Sequence, residues 1–123
     1  ACRLASMALK SCKNNRDRHE LVERFMLCND SCTFASEVPV WFLDKKIGGV
    51  CGHIDLLQYR FGKVYVVDYK PGALKEKKAA SQLYMYALGL SFRTGVNLSN
   101  FKCAWFDDKN YFEFNPKEVR VKW

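Results

Sequence analysis

Val64-Tyr65-Val66-Val67-Asp68-Tyr69-Lys70 is the stretch on which the fold turns. It opens with an unbroken run of valine and tyrosine, and Pro71-Gly72 closes it, so it reads as a β-strand. Residues two apart on a strand point to the same face, so Asp68 and Lys70 share one. Gly62 separates this run from a second strand-like run, Val50 to Tyr59. A tight turn centred on Phe61-Gly62, flanked by Arg60 and Lys63, joins the two as a hairpin. The register of that hairpin puts Asp55 opposite Asp68, and His53 opposite Lys70. Directly opposed residues have Cβ atoms about 4.5–5.5 Å apart, and like charges there repel. A divalent cation would offset the repulsion and keep both carboxylates ionised. Asp-x-Lys alone is common on a surface hairpin; the opposed acid gives it weight.

The rest of the chain arranges itself around this hairpin. Upstream, Thr33 to Phe42 looks extended, with Val38, Val40 and Phe42 alternating against Pro39 and Trp41. Pro39 predicts an edge position or a bulge. Lys45-Lys46-Ile47-Gly48-Gly49 reads as a turn. Residues 15–28 carry Leu21, Val22, Phe25 and Met26 at helical spacing, and His19 borders that stripe. Asn29 and Asp30 suit its end, and residues 1–12 form a short helix before it. Downstream, residues 75–93 make an alanine- and leucine-rich helix that stops near Thr94-Gly95. Strands Phe101 to Phe106 and Tyr111 to Phe114 follow, with a turn at Asp107-Asp108-Lys109-Asn110 between them. The order is helix, three-strand meander, helix, two strands. That predicts an α/β fold, a mixed β-sheet flanked by helices.

Length and composition set the bounds. At 123 residues, residues 1–123 make a single domain with room for a core, and 49% hydrophobic content suits a globular chain. Twenty basic residues against thirteen acidic give +7, which favours a polyanionic partner but is also what solubility alone produces. The positive charge is clustered at Lys10, Lys13, Arg16 and Arg18, and again at Lys70, Lys75, Lys77 and Lys78. No apolar run approaches the length of a membrane span, and residues 1–12 lack a hydrophobic signal region. The expectation is a cytoplasmic (intracellular) protein with no membrane partner. The six cysteines, at 2, 12, 28, 32, 51 and 103, form no CxxC pair or metal-ligand spacing. Cys28 and Cys32 are near enough in sequence to leave a disulfide open. Cys51 and Cys103 lie in strand-like runs, where buried thiols are expected.

Gly52-x-x-Asp55, Asp68-x-Lys70 and Gln82-x-x-x-Tyr86 together resemble the PD-(D/E)XK nuclease superfamily. The RecB-like exonuclease branch, with its CRISPR-associated members, is the nearest likeness, and it covers roughly residues 16–106. The resemblance implies a restriction-endonuclease-like core and a divalent-metal-dependent DNA nuclease, exonuclease-like in action. A structure-selective endonuclease of junction-resolvase type, or an inactive nucleic-acid-binding subunit of the same fold, are the alternatives. It implies Mg²⁺ or Mn²⁺ as cofactor. Its partners would be DNA and a homo-oligomer or larger nuclease/repair complex. Two departures stand out. Asp68 occupies a place where many relatives have glutamate. Only Cys103 follows the second helix, so the iron–sulfur cluster of CRISPR-associated relatives is not expected.

The resemblance assigns roles. Asp55 and Asp68 would be anionic metal ligands, the backbone carbonyl of Tyr69 a third, and His19 on the first helix a fourth. Imidazole is softer than the ligands Mg²⁺ usually takes, so His19 would favour Mn²⁺ tolerance. Lys70 would orient the attacking water and stabilise transition-state charge. Gln82 and Tyr86, four apart on one helix face, would line the site. His53, Arg16, Arg18, Lys75, Lys77 and Lys78 would contact the nucleic acid. Glu20 and Glu37 are reserve acids, with Glu20 preferred because it adjoins His19. Trp41, Tyr59 and Trp105 read as core or scaffold.

Overall fold

The run from Lys63 to Tyr69 is buried from Tyr65 onward, residue after residue. Such a strand needs cover on both faces, and the chain supplies it from opposite sides. The computed structural model describes residues 1–10, 18–44 and 48–119. Among them lie helices α1 (Cys2–Leu9), α2 (Arg18–Asn29) and α3 (Ala79–Thr94). The strands are β1 (Thr33–Asp44), β2 (Gly48–Arg60), β3 (Lys63–Tyr69), β4 (Phe101–Phe106) and β5 (Tyr111–Phe114). They form one five-stranded sheet in the order β1-β2-β3-β4-β5. β3 and β4 run parallel and every other neighbouring pair is antiparallel. A parallel pair needs a long crossover, and α3 is carried within it. The expected α/β architecture with a mixed, helix-flanked sheet is therefore present. No described helix is long and apolar enough to cross a membrane.

Alternation along the central strands builds two cores. Tyr65, Val67 and Tyr69 of β3, with Ala104 and Phe106 of β4, pack beneath Ala5 and Ala8 of α1 and Val22 and Met26 of α2. Val66 of β3, with Phe101 and Cys103 of β4, packs beneath Leu83, Tyr86 and Ala87 of α3. Leu83 is fully buried there, a burial that contributes about 1.5–3 kcal/mol. Asp30 fastens α2 to the sheet. Its Oδ1 accepts the Cys32 N–H at 3.1 Å, and its Oδ2 accepts from Thr33 Oγ1 at 2.9 Å and Gln58 Nε2 at 3.0 Å. The turn residue thereby sets where the face bearing His19 lies.

The β2–β3 hairpin has the expected register, from Arg60↔Lys63 to Leu56↔Val67. Phe61 and Gly62 both take positive φ, 53° and 74°, as a two-residue turn matching the strand twist requires. Beyond Leu56 the ladder stops. Val38↔Ile54 and Ser36↔Leu56 continue the β1–β2 pairing around Glu37, whose φ is 51°. Alternation fails at the same place, because Ile54 and Leu57 lie in the α3 core while Leu56 lies in the other. The remainder of β2 pairs with β1, so the two strands project past the end of β3.

That projection corrects several expectations. His53 pairs with Pro39 on β1 and is exposed, so it does not sit across a ladder from Lys70. Cys51 is exposed rather than buried, opposite Trp41, which is also exposed. Trp41 instead carries Arg93 over its ring at 4.6 Å. Tyr59 is exposed as well, whereas Trp105 is half-buried against the α3 core, as expected of scaffold. Cys28 and Cys32 are free thiols. Pro39 does lie on an edge strand. α3 starts at Ala79, later than expected, after a 3-10 turn at Ala73–Lys75. No side chain caps it, and cations in a first turn oppose the helix dipole, so the lysine-rich segment stays outside. Its far end is as expected, with Gly95 at φ 76° donating its N–H to the Ser91 carbonyl. The expected turn at residues 45–47, the helical residues 15–17 and Arg16 lie outside the described residues.

Candidate active site

Where β2 leaves β3, side chains take over from the ladder. The Tyr69 N–H donates to Asp55 Oδ2 at 3.0 Å. The Asp55 N–H in turn helps hold the charge on Asp68. Each aspartate is thus tied to the other's strand, and the two carboxylates that the sequence places opposite one another do repel. The Asp68 carboxyl is pushed up to about 6, first by burial and then by the charge of Asp55. Asp55 is also raised, chiefly by burial, against the Tyr69 N–H that favours its ionised form.

Asp68 and Lys70 share a face, as the strand period requires. Lys70 Nζ lies 3.3 Å from Asp68 Oδ2 as an ion pair, with the aspartate side chain 3% exposed. Asp68 Oδ2 is buried away from water, and the Lys70 ammonium is the cation that faces it. Lys70 Nζ donates to Gln82 Oε1 at 3.0 Å, and Gln82 Nε2 donates to Tyr86 Oη at 2.8 Å. Asp68 of β3, Lys70 just past its end, and Gln82 and Tyr86 of α3 therefore form one line, ending in a tyrosine buried against β2. Gly52 is the reason Tyr86 fits. A Cβ there would come within 2.8 Å of two Tyr86 ring carbons, closer than real Cβ contacts run. The Gly52-x-x-Asp55 spacing thus couples a clearance for the tyrosine to the acid that follows.

On the other side, α2 brings its own groups. His19 Nε2 lies 3.7 Å from Asp55 Oδ2, and its ring meets the Tyr69 ring edge-on at 5.1 Å. Arg18 bonds the Tyr69 phenol, which burial pushes up and this guanidinium pulls down. Sequence reasoning missed Glu23. It is 3% exposed, and one carboxylate oxygen from each of Glu23, Glu37 and Asp55 lies within 4.8 Å of the others. Burial, then the Glu37 carboxyl, push Glu23 up to about 10. Glu23 is one helical turn beyond His19, which shows that the two share a helix face but not that the face is buried over Asp55. Glu20, the preferred reserve acid, instead pairs with Arg24 at 3.0 Å on the exposed side of α2. Reserve acid Glu37 does join Asp55.

The remaining candidates divide. Lys78 lines an open depression of about 540 Å³ with Lys70, Gln82, Glu76, Ser81 and Met85. Lys75 and Lys77 are exposed in the segment before α3 but do not line it. His53 is on the projecting hairpin. Asp55 and Asp68 stand beside Lys70, with His19 and Glu23 near Asp55; the acids whose oxygens gather within 4.8 Å of one another are Glu23, Glu37 and Asp55 rather than Asp55 and Asp68 with His19. No protein-family model matches the chain, and no curated protein sequence is significantly similar to it.

Proposed function

We propose that the chain is a divalent-metal-dependent DNA nuclease of the PD-(D/E)XK superfamily, with a restriction-endonuclease-like core and exonuclease-like action of the RecB-like kind. One observation carries this: the line Asp68–Lys70–Gln82–Tyr86 abuts Asp55, so two carboxylates and a held ammonium share one patch. Asp55 and Asp68, with the Tyr69 carbonyl and His19, would hold Mg²⁺ or Mn²⁺. When bound, the ion neutralises phosphate charge and acidifies water.

The protein's own groups do the rest. An ammonium has three donors, and Lys70 uses Asp68 and Gln82 to aim them. Held so, it orients the attacking water towards phosphorus and stabilises charge on the phosphoryl oxygens. Gln82 fixes Lys70 by accepting from it, and Tyr86 fixes Gln82. Lys78 adds positive charge on the wall of the same depression, where a DNA backbone would lie. Lys75 and Lys77 extend that charge outward, and Arg18 adds a cation on the α2 side beside Tyr69.

The test is cleavage of end-labelled linear DNA and of closed circular DNA, with Mg²⁺, Mn²⁺ or chelator. Wild type degrades linear DNA only with metal, and Lys70→Ala does not, while both bind DNA. Equal cleavage by the two proteins, or none by wild type with either ion, overturns the assignment. Nicking of the circle replaces exonuclease by structure-selective endonuclease.

A further inference from the structure

Glu23, Glu37 and Asp55 come from three different elements, α2, β1 and β2, yet converge to within 4.8 Å. Three carboxyl groups that close are costly unless protonated or bridged by a cation. Among the described residues, none of the ion pairs places a lysine or arginine on this group. Lys70 is engaged by Asp68 and Gln82 instead. A second observation points the same way. Glu23 is 3% exposed, and its Oε1 has no hydrogen-bond partner among the described residues. A carboxylate oxygen left bare inside a protein costs about 1–3 kcal/mol or more, and here it belongs to a side chain already gathered with two other acids.

We propose that Glu23, Glu37 and Asp55 form a second divalent-cation site, suited to Ca²⁺ by its donors, that pins α2 to the β1–β2 hairpin. The donor chemistry selects a hard ion, since every donor is a carboxylate oxygen. Among hard ions, Ca²⁺ takes several carboxylates at about 2.3–2.6 Å in irregular geometry, which suits acids delivered by three separate elements. Mg²⁺ demands near-ideal octahedral order and keeps several of its waters, so a group of three protein carboxylates suits it less. Glu37 is exposed at the open side of the group, which leaves room for water to complete the shell and a route for entry. Asp55 is shared with the proposed cleavage site, whereas Glu23 and Glu37 are not assigned there.

The experiment is isothermal titration of the metal-free protein with Ca²⁺ alone, paired with thermal melts in Ca²⁺ or chelator. Wild type binds Ca²⁺ and melts higher with it. Glu37→Gln, at an exposed position that does not threaten folding, weakens Ca²⁺ binding by more than about tenfold and abolishes the shift in melting. Asp68→Asn keeps a Ca²⁺ site while losing Mn²⁺-dependent cleavage, which separates the two sites. Absence of Ca²⁺ binding by wild type, or undiminished binding by Glu37→Gln, overturns the proposal whatever the cleavage assay gives.

Discussion

The two sides of Asp55 solve the same electrostatic problem differently. Towards α3, the buried carboxylate of Asp68 meets a lysine at 3.3 Å, and that lysine is held by Gln82 and Tyr86. Towards α2, Asp55 meets Glu23 and Glu37, with His19 at 3.7 Å from its Oδ2. The first side carries its own counter-charge, and the second has acids facing acids. A cation supplied by the protein holds the Asp68 carboxylate in place before any ion arrives. A cluster lacking one is ready for the ion itself.

The largest effects are expected from disturbing the α3 side. Lys70→Ala removes the aimed ammonium and should lower cleavage of linear DNA by about 10²–10³-fold, with the fold unchanged in circular dichroism. Gly52→Ala should be next. The added Cβ forces Tyr86 aside, destabilising the protein by about 1–3 kcal/mol in urea unfolding and loosening Gln82 with it. If Tyr86→Phe alone reproduced the activity loss of Gly52→Ala, the damage would lie in the hydrogen bond rather than the packing.

The α2 side is probed by pH in chelator. Glu23, Asp55 and Asp68 all have raised pKa values in the fold, so each favours folding fully below its unfolded value near 4 and loses that contribution as pH climbs. Thermal stability of the metal-free protein should therefore fall between about pH 4 and about 6 as Asp68 ionises, and onward towards about 10 for Glu23. Asp107 works the other way, because three backbone N–H bonds lower its pKa; its contribution is lost only under stronger acid. Glu23→Gln should flatten the alkaline part of this decline and leave the acid part, readable in paired melts at pH 5 and pH 9. The smallest effect is expected at Trp41→Ala on the projecting hairpin, under about 1 kcal/mol, since only the stacked Arg93 is lost. A larger loss would mean that the exposed tryptophan packs against something the monomer lacks.

Local chemistry made one side of the site legible. The Asp68/Lys70 face follows from the strand period, the hairpin register from the Phe61-Gly62 turn, and the Gln82/Tyr86 pair from helical spacing. Burial on the other side was not legible. Glu23 looks like any polar helix position until α2 is laid over Asp55, and only packing does that. Cys51, Trp41 and His53 misled for a related reason. Cys51 was expected buried, Trp41 in the core or scaffold and His53 opposite Lys70, but β1 and β2, twelve and thirteen residues long, outrun the seven of β3. Past the end of β3 they lose the neighbour that would have covered them.

Short-range rules in the sequence alone determined the strands, the central hairpin and the shared face of acid and lysine, because turn geometry and residue periodicity act over a few positions. Tertiary structure decided where the ladder ends, which helix lies over that end, and hence which acids gather around Asp55. Those depend on the relative lengths of distant strands and on the docking of α2, terms that no local window of sequence contains.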